Sequence, residues 1–171
     1  DLAQGTQPQG TVLIYDDDHS YMANALAADL AAKGHAVHLV SPMPSMAGWL
    51  GNTLEQPRML AEMLALGVTM HPNTTATAWA NGALQVIRSD TGEALPPIAA
   101  DTLLAVTLRH PDTALSKALT ERGIEHRVIG DAEAPGPIQA AVFSGHRNAR
   151  EVLGTEPEDR LFKRERPMLF D

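Results

Sequence analysis

Residues 11–40, TVLIYDDDHSYMANALAADLAAKGHAVHLV, decide the fold. Val12-Leu13-Ile14-Tyr15 is short, apolar and partly β-branched, the make-up of a strand covered on both faces, and predicts a central parallel strand. After it, Met22, Leu26 and Leu30 recur every fourth position with alanines between them, which predicts an amphipathic helix, and Gly34 stands where a C-terminal cap belongs. Val37 to Val40 supplies a second strand, so the stretch is a βαβ unit. In a dinucleotide-binding version the first turn reads GxGxxG, because glycines let the backbone approach a pyrophosphate at the helix N-terminus. Here the turn holds Asp16, Asp17, Asp18 and His19, without a glycine. Three carboxylates at the mouth of a helix suit its dipole but repel a pyrophosphate, and their side chains block the close approach. The turn therefore reads as the geometry of a dinucleotide site with its chemistry removed.

The rest of the composition is compatible with this. The 171 residues allow one domain, or one domain and part of another, and 44% apolar residues suffice for a core. A formal charge of -8, with a basic cluster only at Lys163-Arg164-Glu165-Arg166, argues against nucleic acid or an anionic membrane as partner. The absence of cysteine excludes disulfides, thiolate catalysis and a cysteine-ligated cluster carried by these residues. No apolar run is long enough for a membrane span, residues 1–10 lack the pattern of a signal peptide, and a cytoplasmic location is expected.

Beyond Ser41, residues 42–52 mix proline, glycine, methionine and Trp49 and read as a crossover loop. Residues 53–67 predict a second helix capped by Thr53, with Leu54, Met59, Leu60, Met63 and Leu66 as its apolar face and Pro57 in its first turn. Residues 68–70 predict a third parallel strand. From Thr74 the period changes to alternation, TTATAWA and ALQVIRS, around Asn81-Gly82, the pair that suits a type I′ hairpin. The meander continues through Pro96-Pro97 to another buried strand at 101–107. A helix capped by Asp112 follows over 112–122, with Leu115 and Leu119 inward, then a strand at 124–129, Gly130-Asp131, the turn AEAPGP, and a helix from Pro137 to Leu153. The tail from Gly154 reads as extended and surface-lying.

The predicted fold class is thus α/β: a Rossmann-like, FAD/NAD(P)-binding-type domain with a parallel sheet plus an antiparallel β-meander, followed by a partial segment of a second such domain. The corresponding divisions are a linker at 1–9, the Rossmann-like domain at 10–108, the partial segment at 109–153 and the tail at 154–171.

Three stretches together carry a more specific likeness. Residues 12–42, the Leu54-Glu55-Gln56-Pro57 helix start, and Val128-Ile129-Gly130-Asp131-Ala132-Glu133-Ala134-Pro135 with Ser144-Gly145-His146-Arg147-Asn148-Ala149-Arg150-Glu151 resemble the C-terminal portion of the trimethylamine dehydrogenase family, which includes dimethylamine and histamine dehydrogenases. The resemblance implies a flavin-binding barrel with covalent FMN, a cysteine-ligated iron–sulfur cluster, an ADP-holding domain and electron transfer to an electron-transferring flavoprotein. It places residues 10–107 in the smaller, inserted, pyridine-nucleotide-type domain and residues from 109 in the returning segment of the larger, ADP-holding one. The barrel, the FMN cysteine, the cluster ligands and the glycine-rich ADP turn would then lie upstream of residue 1. This makes the stretch a non-catalytic structural module, without a catalytic residue and without a cofactor bound on its own. The candidate cofactor-binding residues are Gly130 and Asp131, which match the motif approaching the ribityl chain in related flavoproteins, and Ile138 at the N-terminus of the last helix. One departure is Leu108, where the family has glycine at the crossing between domains. If the chain stands alone, Ile138, Val142 and Phe143 are expected to be exposed, swapped or covered by a second copy, so self-association is expected.

Alternatives rest on particular residues. Asp16, Asp17, Asp18 and His19 offer hard oxygen ligands for a divalent cation, against a capping, solvated turn. His146-Arg147 offers a phosphate contact, against a rim salt bridge. Trp49 with Met43 and Met46 offers an interface patch, including one toward an electron acceptor, against a loop packed on its own domain. The remaining histidines lack metal-ligand spacing and default to surface or satisfied positions. A working NAD(P)H-binding domain resembling that of 2,4-dienoyl-CoA reductase has the same layout but needs the missing glycines. A receiver-like signalling domain begins with a similar acidic turn, yet needs an Asp after the third strand, where Met70-His71-Pro72 stands, and lacks a meander.

Overall fold

The computed structural model describes residues 7–153. In chain order the elements are β1 (Val12–Asp16), α1 (Met22–Ala32), β2 (Val37–Val40), a 3-10 turn (Gly48–Thr53), α2 (Gln56–Ala65), β3 (Thr69–His71), β4 (Thr74–Ala80), β5 (Ala83–Arg88), β6 (Ala94–Ala99), β7 (Thr102–Val106), α3 (Ala114–Glu121), a second 3-10 turn (Gly130–Ala132) and α4 (Ile138–Leu153). Two compact units emerge, Asp1–Leu108 and Arg109–Asp171. The predicted tail at 154–171 lies outside the described residues.

In the first unit β1 is central, as expected: it pairs in parallel with β2 on one side and β7 on the other, in the order β3-β2-β1-β7. Both faces of this sheet are covered, which is why its strands are apolar throughout rather than alternating. On one face Val12, Ile14, Val37 and Leu39 pack with Ala23, Ala27 and Leu30 of α1 and Met59 and Met63 of α2. On the other, Leu13, Tyr15, Val40 and Leu103 pack against Ala76, Leu84, Val86, Leu95 and Ile98 of the meander.

The meander itself is a separate sheet ordered β4-β5-β6. Its first hairpin turns on Asn81 and Gly82, both at positive φ (52° and 70°), the requirement of a type I′ turn. Leu84 pairs with Ile98 and Val86 with Leu95, so Gln85 alone stands opposite Pro96 and Pro97. The two prolines occupy a bulge on an edge strand, where a missing N–H costs no ladder bond. At the ends of α1 and α2, Gly34 and Gly67 adopt positive φ. The amides of His35 and Val68 reach back to the carbonyls of Leu30 and Met63, and those of Gly34 and Gly67 to Ala31 and Leu64, the paired bonds of a Schellman cap.

Several expectations are corrected. α1 buries Ala23, Asn24, Ala27 and Leu30 while Met22 is exposed, because small residues let the helix approach the sheet closely. Thr53 does not cap α2; its hydroxyl donates to the Leu50 carbonyl and the Glu55 carboxylate. Leu54 adopts a positive φ of 63° at the junction between the 3-10 turn and α2, and is 85% exposed rather than part of the apolar face. The loop at 42–52 is partly helical and places Met46, Ala47 and Leu50 in the core, leaving Trp49 exposed.

The second unit differs more. α3 and α4 form, and the Asp112 carboxylate accepts the amide of Ala114 at 3.0 Å. Leu115, however, is exposed. Residues 124–129, expected as a strand, form none. A strand is defined by its partner, and no other strand exists among the described residues of this unit. Nor does any hydrophobic side chain among residues 109–152 reach core burial; Ser144 alone is buried there.

Candidate functional site

The carboxyl ends of parallel strands are where α/β sheets hold ligands. At that edge Asp16 is the last residue of β1 and continues the helix-facing side of Val12 and Ile14, so its side chain is carried inward; it is 0% exposed. Its Oδ1 accepts the amides of Asp18 (3.2 Å) and His19 (2.9 Å). These are the amides that a bound phosphate would use in a glycine-rich turn. The chain thus satisfies them with a carboxylate of its own.

The turn is closed further. The Asp17 amide donates to the Val106 carbonyl at 2.8 Å and the Trp49 amide to the His19 carbonyl at 3.1 Å. His19, at a φ of 58°, sets its Nδ1 3.4 Å from the Ser41 hydroxyl and its Nε2 3.7 Å from Asp17. The Ser20 hydroxyl donates to the Asp18 carboxylate. Two buried oxygens, Asp16 Oδ2 and Asn24 Oδ1, have no hydrogen-bond partner. Both are acceptors, whereas a pyrophosphate would require donors here. The residues present do not fit a dinucleotide, and the solvated-turn expectation for Asp16 also fails, since burial places it in the core. Among the described residues no group of three or more His, Asp or Glu is arranged to hold a metal ion, so the divalent-cation alternative gains no geometric support.

Burial pushes the Asp16 carboxyl above its ordinary pKa of 3.8, and only part of that is opposed by the His19 amide, the His19 ring and the Asp18 amide. Tyr15, on the opposite face, is raised by its own burial and then by the charges of Asp17 and Asp16. A folded-state pKa above the unfolded value means that the folded chain holds more protons just above pH 3.8. Stability from this group is therefore greatest in acid and is lost as pH rises through the folded pKa. Asp16→Asn keeps the Oδ1 acceptor and removes the charge. It is expected to raise stability by about 1 kcal/mol at pH 7, with the gain vanishing toward pH 4. Urea unfolding of both proteins across that range checks this; a destabilised Asn variant at pH 7 would show that the charge itself holds the turn.

The sequence-predicted residues Gly130, Asp131 and Ile138 lie in the second unit. Gly130 has a φ of 59° and donates its amide to the Ser144 hydroxyl at 3.1 Å, and that hydroxyl donates to Glu133 at 3.0 Å. Asp131 Oδ1 accepts the Gly136 amide at 3.3 Å, closing the turn that leads into α4. Ile138 opens α4 and is 82% exposed. Arg147 lies 3.6 Å from Glu133 and 3.7 Å from Glu151, a rim ion-pair arrangement.

Sequence reasoning missed a histidine pair. His38 on β2 and His71 on β3 bring Nδ1 and Nε2 to 2.9 Å of each other, although 33 residues separate them in sequence. The one sequence signal was that both interrupt apolar strands.

Comparison with known proteins agrees with this architecture. A family model described as the OYE-like second alpha/beta domain matches residues 1–91. The chain is 29% identical over 180 residues to dimethylamine dehydrogenase of Hyphomicrobium sp. (strain x), covering 90% of this chain and 24% of that protein. The structure of histamine dehydrogenase from Rhizobium sp. 4-9 superposes with a TM-score of 0.85 at 34% identity, over 99% of this chain and 28% of that one. That of 6-hydroxypseudooxynicotine amine oxidase from Pseudomonas geniculata N1 does so with a TM-score of 0.76 at 27% identity, over 85% of this chain and 22% of that one. The chain thus spans about a quarter of the length of the relatives it matches. A match across more than half of its residues shows that the chain belongs to the OYE-like second alpha/beta domain family.

Proposed function

We propose that this chain is the C-terminal, non-catalytic structural module of a flavin- and iron–sulfur-dependent amine dehydrogenase, an oxidoreductase that passes electrons to an electron-transferring flavoprotein. The observation that carries the reading is the state of residues 109–152. They present Leu115, Ile124, Ile129, Ile138, Val142 and Phe143 to solvent, bury no large hydrophobic side chain, and include the segment 124–129, which has no sheet partner among the described residues. Such a segment is understandable as the returning part of a larger ADP/FAD-type domain, whose remaining strands would cover it. The closed acidic turn supports the same reading: the first unit keeps a dinucleotide fold while its own carboxylate occupies the amides that would bind a phosphate. The absence of cysteine leaves FMN attachment and cluster ligation to other parts of the parent polypeptide.

Gly130, Asp131 and Ile138 remain the residues assigned to face the ADP of the parent. Asp131 would meet a sugar hydroxyl and the start of α4 at Ile138 the phosphates; the glycine permits close approach of the chain. ADP, if held there, would act as a structural nucleotide. Trp49, 60% exposed, is the natural centre of a contact with the flavoprotein partner, and its removal should slow transfer in the parent enzyme.

Calorimetric titration of the chain with NADH, NADPH and ADP tests the module reading. No heat is expected with any of the three; micromolar binding of NADH or NADPH would make this a working pyridine-nucleotide domain. Hydrogen exchange supplies a second check. Amides of residues 124–129 should exchange with little protection in dilute chain while those of β1 and β2 are protected. Strong protection in both would mean that the second unit is complete by itself.

A further inference from the structure

Among the seven histidines of the chain, His38 and His71 alone are described in ring-to-ring contact. His38 pairs across the ladder with Thr69 and Val40 with His71, so the two rings rise from the same face of adjacent strands, one pair apart. Their centroids are 5.2 Å apart with planes inclined by 22°. The 2.9 Å nitrogen gap plus the two ring radii already spans that centroid distance, so the rings meet edge to edge rather than face over face. Their facing nitrogens point straight at one another, at a single meeting point.

That point is accessible. β3 is the edge of the parallel sheet, and the pair lines a cavity of about 550 Å³ between the sheet edge and β6, with Val86, Leu95, Pro96 and Ile98 among its walls. No carboxylate lines this cavity, and the Thr74 hydroxyl at its base donates to the Pro72 carbonyl. A hard cation such as Mg²⁺ or Ca²⁺ would find no carboxylate there, whereas imidazole nitrogen suits Zn²⁺, Ni²⁺ and Cu²⁺.

We propose that His38 Nδ1 and His71 Nε2 form a two-imidazole binding site for a transition ion of the Zn²⁺ and Ni²⁺ class, with water in the cavity completing the coordination. As found, the facing nitrogens are spaced to share one proton. Moving that proton to the outer nitrogen of the same ring leaves two lone pairs facing the ion and no change in net protonation. Two zinc–nitrogen bonds of ~2.0–2.1 Å at a tetrahedral angle span roughly 3.3–3.4 Å, so the rings need to part by about half an ångström and each to swing by roughly 35° to aim its nitrogen at the ion. Edge strand β3 is three residues long and is the element placed to give way. With no third protein ligand within reach among the described residues, the ion is exchangeable rather than a folding cofactor. This inference is independent of the parent enzyme's activity.

The test is titration of the full chain with zinc chloride, followed by calorimetry and by the ring-nitrogen resonances of the histidines. One ion per chain is expected, with the His38 and His71 resonances moving together. His71→Gln should weaken binding at least about ten-fold, and His146→Ala, on α4, should leave it unchanged. Absence of binding at millimolar zinc, binding distributed over the other histidines, or unaltered affinity in His71→Gln would overturn the assignment. The wild-type resonances decide it even if a variant folds poorly.

Discussion

Gly10→Ala is expected to lower the unfolding free energy by about 2–4 kcal/mol. Gly10 has a φ of 56°, and a methyl group there would stand 2.0 Å from Asp101 Oδ2 and 2.6 Å from its Cγ. The Asp101 side chain must leave. In doing so it gives up the bond it accepts from the Thr11 amide at 2.7 Å. That bond belongs to a lacing of two chain segments: the amides of Asp101 and Thr102 donate to the Thr11 carbonyl, and the Thr102 hydroxyl bonds both the amide and the carbonyl of Gln9. The lacing sets β1 and β7 side by side at their first residues, so its loss acts on the centre of the sheet. Gln9, placed in a linker on sequence grounds, is part of it. Asp101→Ala removes the bond without the backbone strain and should cost about 1 kcal/mol. The double variant should therefore lose less than the sum of the two single losses. Urea unfolding of the four proteins of this cycle decides; full additivity would mean that Gly10 and Asp101 do not act on each other.

Met63→Ala is expected to cost about 2–5 kcal/mol. Met63 is wholly buried on α2, in the cluster with Ile14, Leu39 and Met59 that joins the helices to the parallel sheet. Truncation removes apolar contacts and leaves a void that the sheet below, hydrogen-bonded on both sides, has little freedom to fill. Met63→Leu preserves most of the volume and should cost less than about 1.5 kcal/mol. Leu64→Ala, at the exposed neighbouring position, should stay within about 0.5 kcal/mol. If equilibrium unfolding finds Met63 and Leu64 equally tolerant, α2 does not dock on the sheet through this face.

The comparison of Met63 with Leu54 and Leu115 shows how far pattern reaches. Helical spacing located α2 and α3 and identified Met59 and Met63 as inward. It also assigned Leu54 and Leu115 inward, and both are exposed. Spacing records which residues share a face; it does not record whether anything covers that face. In the second unit the described residues leave Leu115 uncovered.

What the sequence determined by itself is what short-range physics controls. The apolar run of Val12 to Tyr15 required two covered faces, Asn81-Gly82 required a type I′ turn, and Gly34 required a left-handed helix end. The α/β class and the succession of elements in the first unit follow from these. Only the tertiary structure decided the rest, because it depends on partners distant in the chain. The Asp16 carboxylate takes the turn amides because β1 ends on the face packed by α1. His38 meets His71 because the register of β2 and β3 brings them together. Residues 124–129 have the composition of a strand and, among the described residues, no neighbour to pair with, since backbone hydrogen bonding between strands is a property of two segments and cannot be read from one.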